Sequence, residues 1–157
     1  MEKLNASPAL SASLACRRPK VPESLSRHVL YFENCVPVHF DHHYAAQTEF
    51  GKPLVDSTFT FALVTGQSVT DISQNVFANL GWDEVRLPNP VFEGDTIYSQ
   101  SEVLEKRESR SRKNVGIVTV KTTGYNQDET IVIVFKRTIM VYKRGHAPKI
   151  HHPTLGE

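Results

Sequence analysis

Hydrophobic and polar positions divide the chain into an aperiodic start, a helical stretch and a strand-like remainder. From Ser57 to Ile72, the residues Phe59, Phe61, Ala62, Leu63, Val64, Val69 and Ile72 surround a helical wheel on nearly all sides. A helix that is apolar all round is a buried one. Downstream the period shortens. Residues 82–88, 95–107, 115–125 and 130–143 are rich in Val, Ile, Thr and Tyr, and breaks such as Asn89-Pro90, Lys113-Asn114 and Asn126-Gln127-Asp128 separate them. The last three are long and consecutive, which predicts an antiparallel meander with Asn114 and Asp128-Glu129 as hairpin punctuation. One buried helix followed by such strands predicts an α+β domain in which a curved sheet wraps a central helix.

Before the helix the pattern is weaker. Residues 1–22 are rich in Ala, Ser, Leu and Pro without periodicity, and are expected to be a disordered or divergent tail. A cytoplasmic location is expected; the alternative is an organellar matrix, with Cys16-Arg17-Arg18 in a weak targeting segment, against which Glu2 counts. Glu23 to Glu33 has the composition of a short helix, which the Pro37 loop interrupts because proline removes a donor and restricts its neighbour. Asp41 stands as an N-cap for a short helix through Ala46. A single domain is therefore expected over 23–143, with a disordered tail over 144–157.

Composition narrows the function classes. The chain has 157 residues, 39% hydrophobic and 22% charged content and a net charge of +1, the profile of one ordinary domain with material for a core. Acidic and basic residues are interleaved, as in Glu105-Lys106-Arg107-Glu108, so no nucleic-acid footprint is predicted. No apolar run approaches the roughly 20 residues of a bilayer span, so no membrane partner is expected. Cys16 and Cys35 lack metal spacing and are read as reduced thiols. His42 and His43 are adjacent and diverge on any helix, while His151 and His152 lie in a Pro-rich tail; with His146 they make no metal site.

The chemistry concentrates at Asn34-Cys35-Val36-Pro37-Val38-His39-Phe40-Asp41. A Pro-stiffened loop there carries one imidazole beside a polar amide, just ahead of a helix N-terminus whose N–H groups can stabilise an oxyanion. An unperturbed imidazole titrates near neutral pH, which makes His39 the candidate general base; the alternative is a histidine that only bonds its own loop. Asn34 is either a group orienting water or imidazole or a turn residue. Asp41 is either a helix cap or a partner holding the His39 tautomer, and Glu33 is a further carboxylate nearby.

The sequence resembles the MaoC-like dehydratase and (R)-specific enoyl-CoA hydratase family over about residues 28–143. Its motif reads roughly Asp-x-Asn-Pro-x-His-x-Asp, then Tyr-Ala, then Phe-Gly, matched here by the loop above, Tyr44-Ala45 and Phe50-Gly51. Further phrases, among them Leu54-Val55-Asp56-Ser57, Asn79-Leu80-Gly81-Trp82 and Pro90-Val91-Phe92-Glu93-Gly94-Asp95-Thr96, look most like the mesaconyl-CoA and itaconyl-CoA hydratases. The resemblance implies a hotdog fold and a homodimer. It also implies reversible hydration of a short 2-enoyl-CoA, with the CoA thioester as substrate and no metal or redox cofactor. Two departures stand out: Asn34 occupies the position of the family's aspartate, and the strand and glycine that precede the loop are hard to find in residues 1–27.

The resemblance places the oxyanion donors at Asp56, Ser57 and Thr58, where simple capping is the other reading. For CoA phosphates Arg107, Arg110, Arg112 and Lys113 are candidates, or else a solvated strand tip; Arg86 is the candidate for a distal carboxylate. Two other functions remain open: a hotdog thioesterase with Asp56 activating water, and a non-catalytic acyl-CoA-binding subunit.

Overall fold

Two short-range caps organise the start of the described chain, residues 34–149 of a computed structural model. Residues 1–33 and 150–157, and with them the expected N-terminal tail, the helix from Glu23, any first strand before residue 28 and the end of the expected C-terminal tail, lie outside the described residues; of that last tail residues 144–149 are described, and they open with a turn in which the His146 N–H donates to the Lys143 carbonyl at 3.0 Å. Pro37, whose φ is restricted, opens a single 3-10 turn, Pro37–His39. Asp41 then accepts the Tyr44 N–H at 3.0 Å and caps α1, His42–Ala45.

The Asp56 carboxylate starts α2, Ser57–Gln67, by accepting the N–H groups of Thr58 and Phe59. The expectation of one helix to Ile72 is corrected here: after Gln67 the chain widens into a π-helical turn, Val69–Ser73. Such bulges are locally irregular, and no change of hydrophobic period announces one.

Four strands follow: β1 (Val76–Arg86), β2 (Tyr98–Glu108), β3 (Val115–Tyr125) and β4 (Ile131–Tyr142). All pairings are antiparallel, in the order β1-β4-β3-β2, so the last three strands form the expected meander. Asn126 closes its second hairpin, accepting the N–H groups of Asp128 (3.0 Å) and Thr130 (2.9 Å). Two boundaries differ from expectation. β1 begins at Val76 rather than residue 82, because three irregularities in its register with β4, and a positive φ of 51° at Glu84, break the alternation a strand is read by. β2 begins only at Tyr98, because Asp95 holds the Phe92 N–H at 2.9 Å in a turn.

Alternation decides which side of the sheet meets α2. On β3 and β4, Val118, Val120, Ile133, Phe135 and Ile139 point to the helical side and are buried, packing with Val64, Phe59, Phe61 and Ile72. Contact is closest at Gly124, where a Cβ would lie 2.8 Å from side-chain atoms of both Val64 and Ile133. Among the described residues the sheet covers α2 on this side, and Ala62 and Gly66 are exposed. Enclosure all round, expected from the helical wheel, needs a second surface beyond the four described strands. Edge strand β1 leaves Phe77, Leu80 and Trp82 at 36%, 50% and 40% exposure. Among the described residues no helix is long and apolar enough to cross a membrane.

Candidate active site

The His39 turn is sewn to the segment that enters α2. The Leu54 N–H donates to the Val38 carbonyl at 3.0 Å, and the neighbouring Val55 N–H donates to Val91 at 2.8 Å. Leu54 thus lies between the imidazole turn and the loop that bridges to Phe92. Its own carbonyl oxygen lies 3.0 Å from His39 Nδ1. A carbonyl can only accept, so the neutral ring carries its proton on Nδ1 and leaves the Nε2 lone pair open. A half-buried imidazole is therefore held in the tautomer that a base needs.

Three residues further on, the helix N-terminus is partly consumed by its own cap. Asp56 is 4% exposed, and its Oδ1 accepts the Thr58 N–H at 2.7 Å, the Phe59 N–H at 3.1 Å and the Thr58 hydroxyl. Its other oxygen accepts the Asn34 amide. Burial raises the carboxyl pKa, but the hydrogen bonds from Thr58, Asn34 and Phe59 outweigh it and hold the group below its usual value. Asp56 is thus a fixed anion. Thr58 and Phe59 have spent their N–H groups on it, the Thr60 N–H closes the first helical bond to the Asp56 carbonyl at 3.0 Å, and no described group accepts the Ser57 N–H. Of the three expected oxyanion positions, Thr58 is spent on the cap, while the main-chain N–H groups of Ser57, at the first turn of the helix, and of Asp56 before it have no described acceptor.

The other candidates are dispersed. Asn34 is half-buried; its Oδ1 accepts the Val36 N–H at 3.1 Å while its amide reaches Asp56. Asp41 caps α1, and the tautomer-holding role considered for it belongs instead to the Leu54 carbonyl. Arg86 sits exposed at the end of β1, opposite Val134 on the face away from α2, and bonds the Val85 carbonyl at 2.9 Å. As the candidate for a distal carboxylate it therefore lies apart from His39 and α2, because its register parity is the outward one.

Arg107 and Arg110 meet Ser109, Ser111, Ile117 and Met140 around an open cavity of about 400 Å³. Ile117 and Met140 are paired neighbours on the side of the sheet opposite Val118 and Ile139, so this cavity and α2 lie on different faces. Arg112 turns away from it to place its guanidinium 4.8 Å over the Phe77 ring, and Lys113 is exposed at the hairpin. His42 and His43 are exposed on α1, and among the described residues no three His, Cys, Asp or Glu side chains converge.

Arg137 was not anticipated. It is 6% exposed on the α2 side, donates from Nε to Asn79 Oδ1 at 2.7 Å and from a terminal nitrogen to Ser73 Oγ at 3.3 Å, and lies 5.7 Å over Trp82. Burial lowers its pKa, and no described carboxylate forms an ion pair with it. The available signal was parity: Arg137 shares the inward alternation of Ile133, Phe135 and Ile139.

Comparison with known proteins places this geometry in a family. The MaoC like domain matches residues 26–126. A mesaconyl-CoA hydratase of Cereibacter sphaeroides is 42% identical over 103 residues, which are 66% of this chain and 30% of that protein. The chain thus spans about a third of that relative's length. A putative MaoC domain protein dehydratase from Chloroflexus aurantiacus superposes with a TM-score of 0.76 at 28% identity, covering 88% of this chain and 40% of that one. A conserved hypothetical protein from Mycobacterium tuberculosis with a double hotdog fold superposes with a TM-score of 0.70 at 24% identity, covering 78% and 38%. The chain belongs to the MaoC-like domain family and has its hotdog fold.

Proposed function

We propose that the protein is a hydro-lyase that reversibly adds water across the double bond of a short 2-enoyl-CoA. The observation that carries this reading is the His39 ring bonded through Nδ1 to the Leu54 carbonyl, three residues ahead of the uncommitted Ser57 N–H. In the forward direction His39 Nε2 takes a proton from water as the oxygen bonds to the β-carbon. The π electrons move onto the thioester oxygen, which the Ser57 N–H stabilises as an enolate. The imidazolium then returns its proton to the α-carbon, so one water is added and His39 ends as it began.

The relative named mesaconyl-CoA hydratase supports a branched C4-dicarboxylic acyl group as the first substrate to try. A thioesterase using Asp56 as its base is the weaker reading, since both carboxylate oxygens are already engaged by donors and the group is held ionised as a cap.

The test is hydration of mesaconyl-CoA and crotonyl-CoA, followed by loss of enone absorbance and gain of one water in the mass spectrum, with a thiol reagent to detect hydrolysis. His39→Ala is expected to lower turnover by about 10²–10⁴-fold with an unchanged circular dichroism spectrum. Retained turnover in that variant, or thiol release by the unsubstituted protein, overturns the reading.

A further inference from the structure

The family's motif has an aspartate where this chain has Asn34, and an amide cannot exchange a proton as a carboxylate does. The structure shows what the amide does instead. Its Oδ1 accepts the Val36 N–H, which ties it to the loop entering the His39 turn, and its Nδ2 donates to the Asp56 carboxylate. That carboxylate is buried and already accepts from Thr58 and Phe59 at the head of α2. The imidazole turn and the helix that presents Ser57 are thereby joined side chain to side chain, in parallel with the main-chain link through Leu54.

We propose that Asn34 is a positioning residue, its amide latching the His39 turn onto the Asp56 cap so that the imidazole and the Ser57 N–H keep one separation. The proton-handling work therefore falls to His39 alone, and the carboxylate nearest this loop is the Asp56 cap, which serves as its anchor. This inference rests on the hydration reading for its kinetic test.

An aspartate at this position would face Asp56 across a hydrogen-bond distance. Two carboxylates so close share one proton, and the pair repels once that proton leaves. Among the described residues no charged group offsets this: the contacts of the Asp56 carboxylate are Asn34 from the turn and Thr58 and Phe59 from α2. His39 is directed to Leu54, and the Lys52 ammonium lies 4.2 Å over the Phe92 ring. Asn34 is thus the residue type that allows a latch to a carboxylate whose hydrogen bonds hold it below its usual pKa.

The experiment compares Asn34→Ala, Asn34→Asp and the exchange Asn34→Asp with Asp56→Asn, measuring kcat and KM for mesaconyl-CoA against pH. Removing the latch in Asn34→Ala is expected to lower kcat by about 100-fold, the scale of an ångström-sized misplacement, with KM changed less than about threefold. The unsubstituted protein should keep a level profile on the alkaline side. Asn34→Asp should fall at higher pH as the shared proton is lost, and the exchange, which restores one amide and one carboxylate, should recover the level profile.

Equal loss at every pH in Asn34→Asp, or no recovery in the exchange, overturns the latch. A readout free of turnover is the ¹³C resonance of the Asp56 carboxyl group. It should titrate below the ordinary carboxylate range in the unsubstituted protein and move up in Asn34→Ala. An unmoved titration overturns the latch, whereas a moved titration in a protein that hydrates nothing sustains it and rejects the hydration reading.

Discussion

At the scale of single residues, the site depends on which polar atoms remain uncommitted. Ser57 is the first residue of α2, and Asp56 before it has φ −58° and ψ 135°, the extended conformation that a following proline requires. Proline is favoured at a first helical position, where its missing N–H costs no helical bond. Ser57→Pro is therefore expected to keep the melting temperature within a few degrees while lowering kcat by about 10²–10³-fold, the loss typical of one oxyanion donor. Thermal unfolding and steady-state kinetics on the same preparation check both halves, and full activity would remove Ser57 from the mechanism. His39, Asn34 and Asp56 could be selected from the chain alone because Pro37, the short loop and the apolar run from Ser57 are local signals. That Asp56 consumes the donors of Thr58 and Phe59 was not legible, since a cap and an oxyanion site call for the same residue types. Asp41 reads as the cap it is, whereas the outward parity of Arg86 and the Leu54 partner of His39 Nδ1 were not legible, because charge and proximity along the chain reveal neither the register of a bulged strand nor the partner of a ring nitrogen.

At the scale of elements, close approach of α2 to the sheet sets where the helix sits. Gly124 makes this possible, because any Cβ there would intrude on Val64 and Ile133 at 2.8 Å. Gly124→Ala is expected to cost about 1–3 kcal/mol, the range for overpacking a filled core, read from the urea midpoint at unchanged slope. A variant as stable as the original would show that helix and sheet separate without strain. The meander β2, β3, β4 was legible because its strands are long, alternate cleanly and end at Asn and Asp turns. β1 was half missed: Asn79, Gly81 and the positive φ at Glu84 interrupt its period, and only pairing with β4 makes Val76 to Gly81 a strand. Such rescue by a partner strand is a tertiary effect, invisible to a local window.

At the scale of the molecule, the described residues of one chain leave apolar surface exposed. Phe77, Leu80 and Trp82 line an edge strand, and Ala62 and Gly66 lie open on the uncovered side of α2. Long edges and contiguous apolar patches are normally paired or buried in an assembly. Two copies joined along β1 are therefore expected, and sedimentation at micromolar concentration should show a dimer that Leu80→Asp combined with Trp82→Asp converts to monomer. A monomeric unsubstituted protein would reject this assembly.

The Leu54 carbonyl has a consequence beyond its contact with the ring. Both that oxygen and the Ser57 N–H belong to the main chain, so exchanging the side chains at positions 54 and 57 deletes neither, proline at 57 excepted. Descendants of this sequence can vary the walls around the imidazole while the polarity at its centre is inherited with the backbone itself.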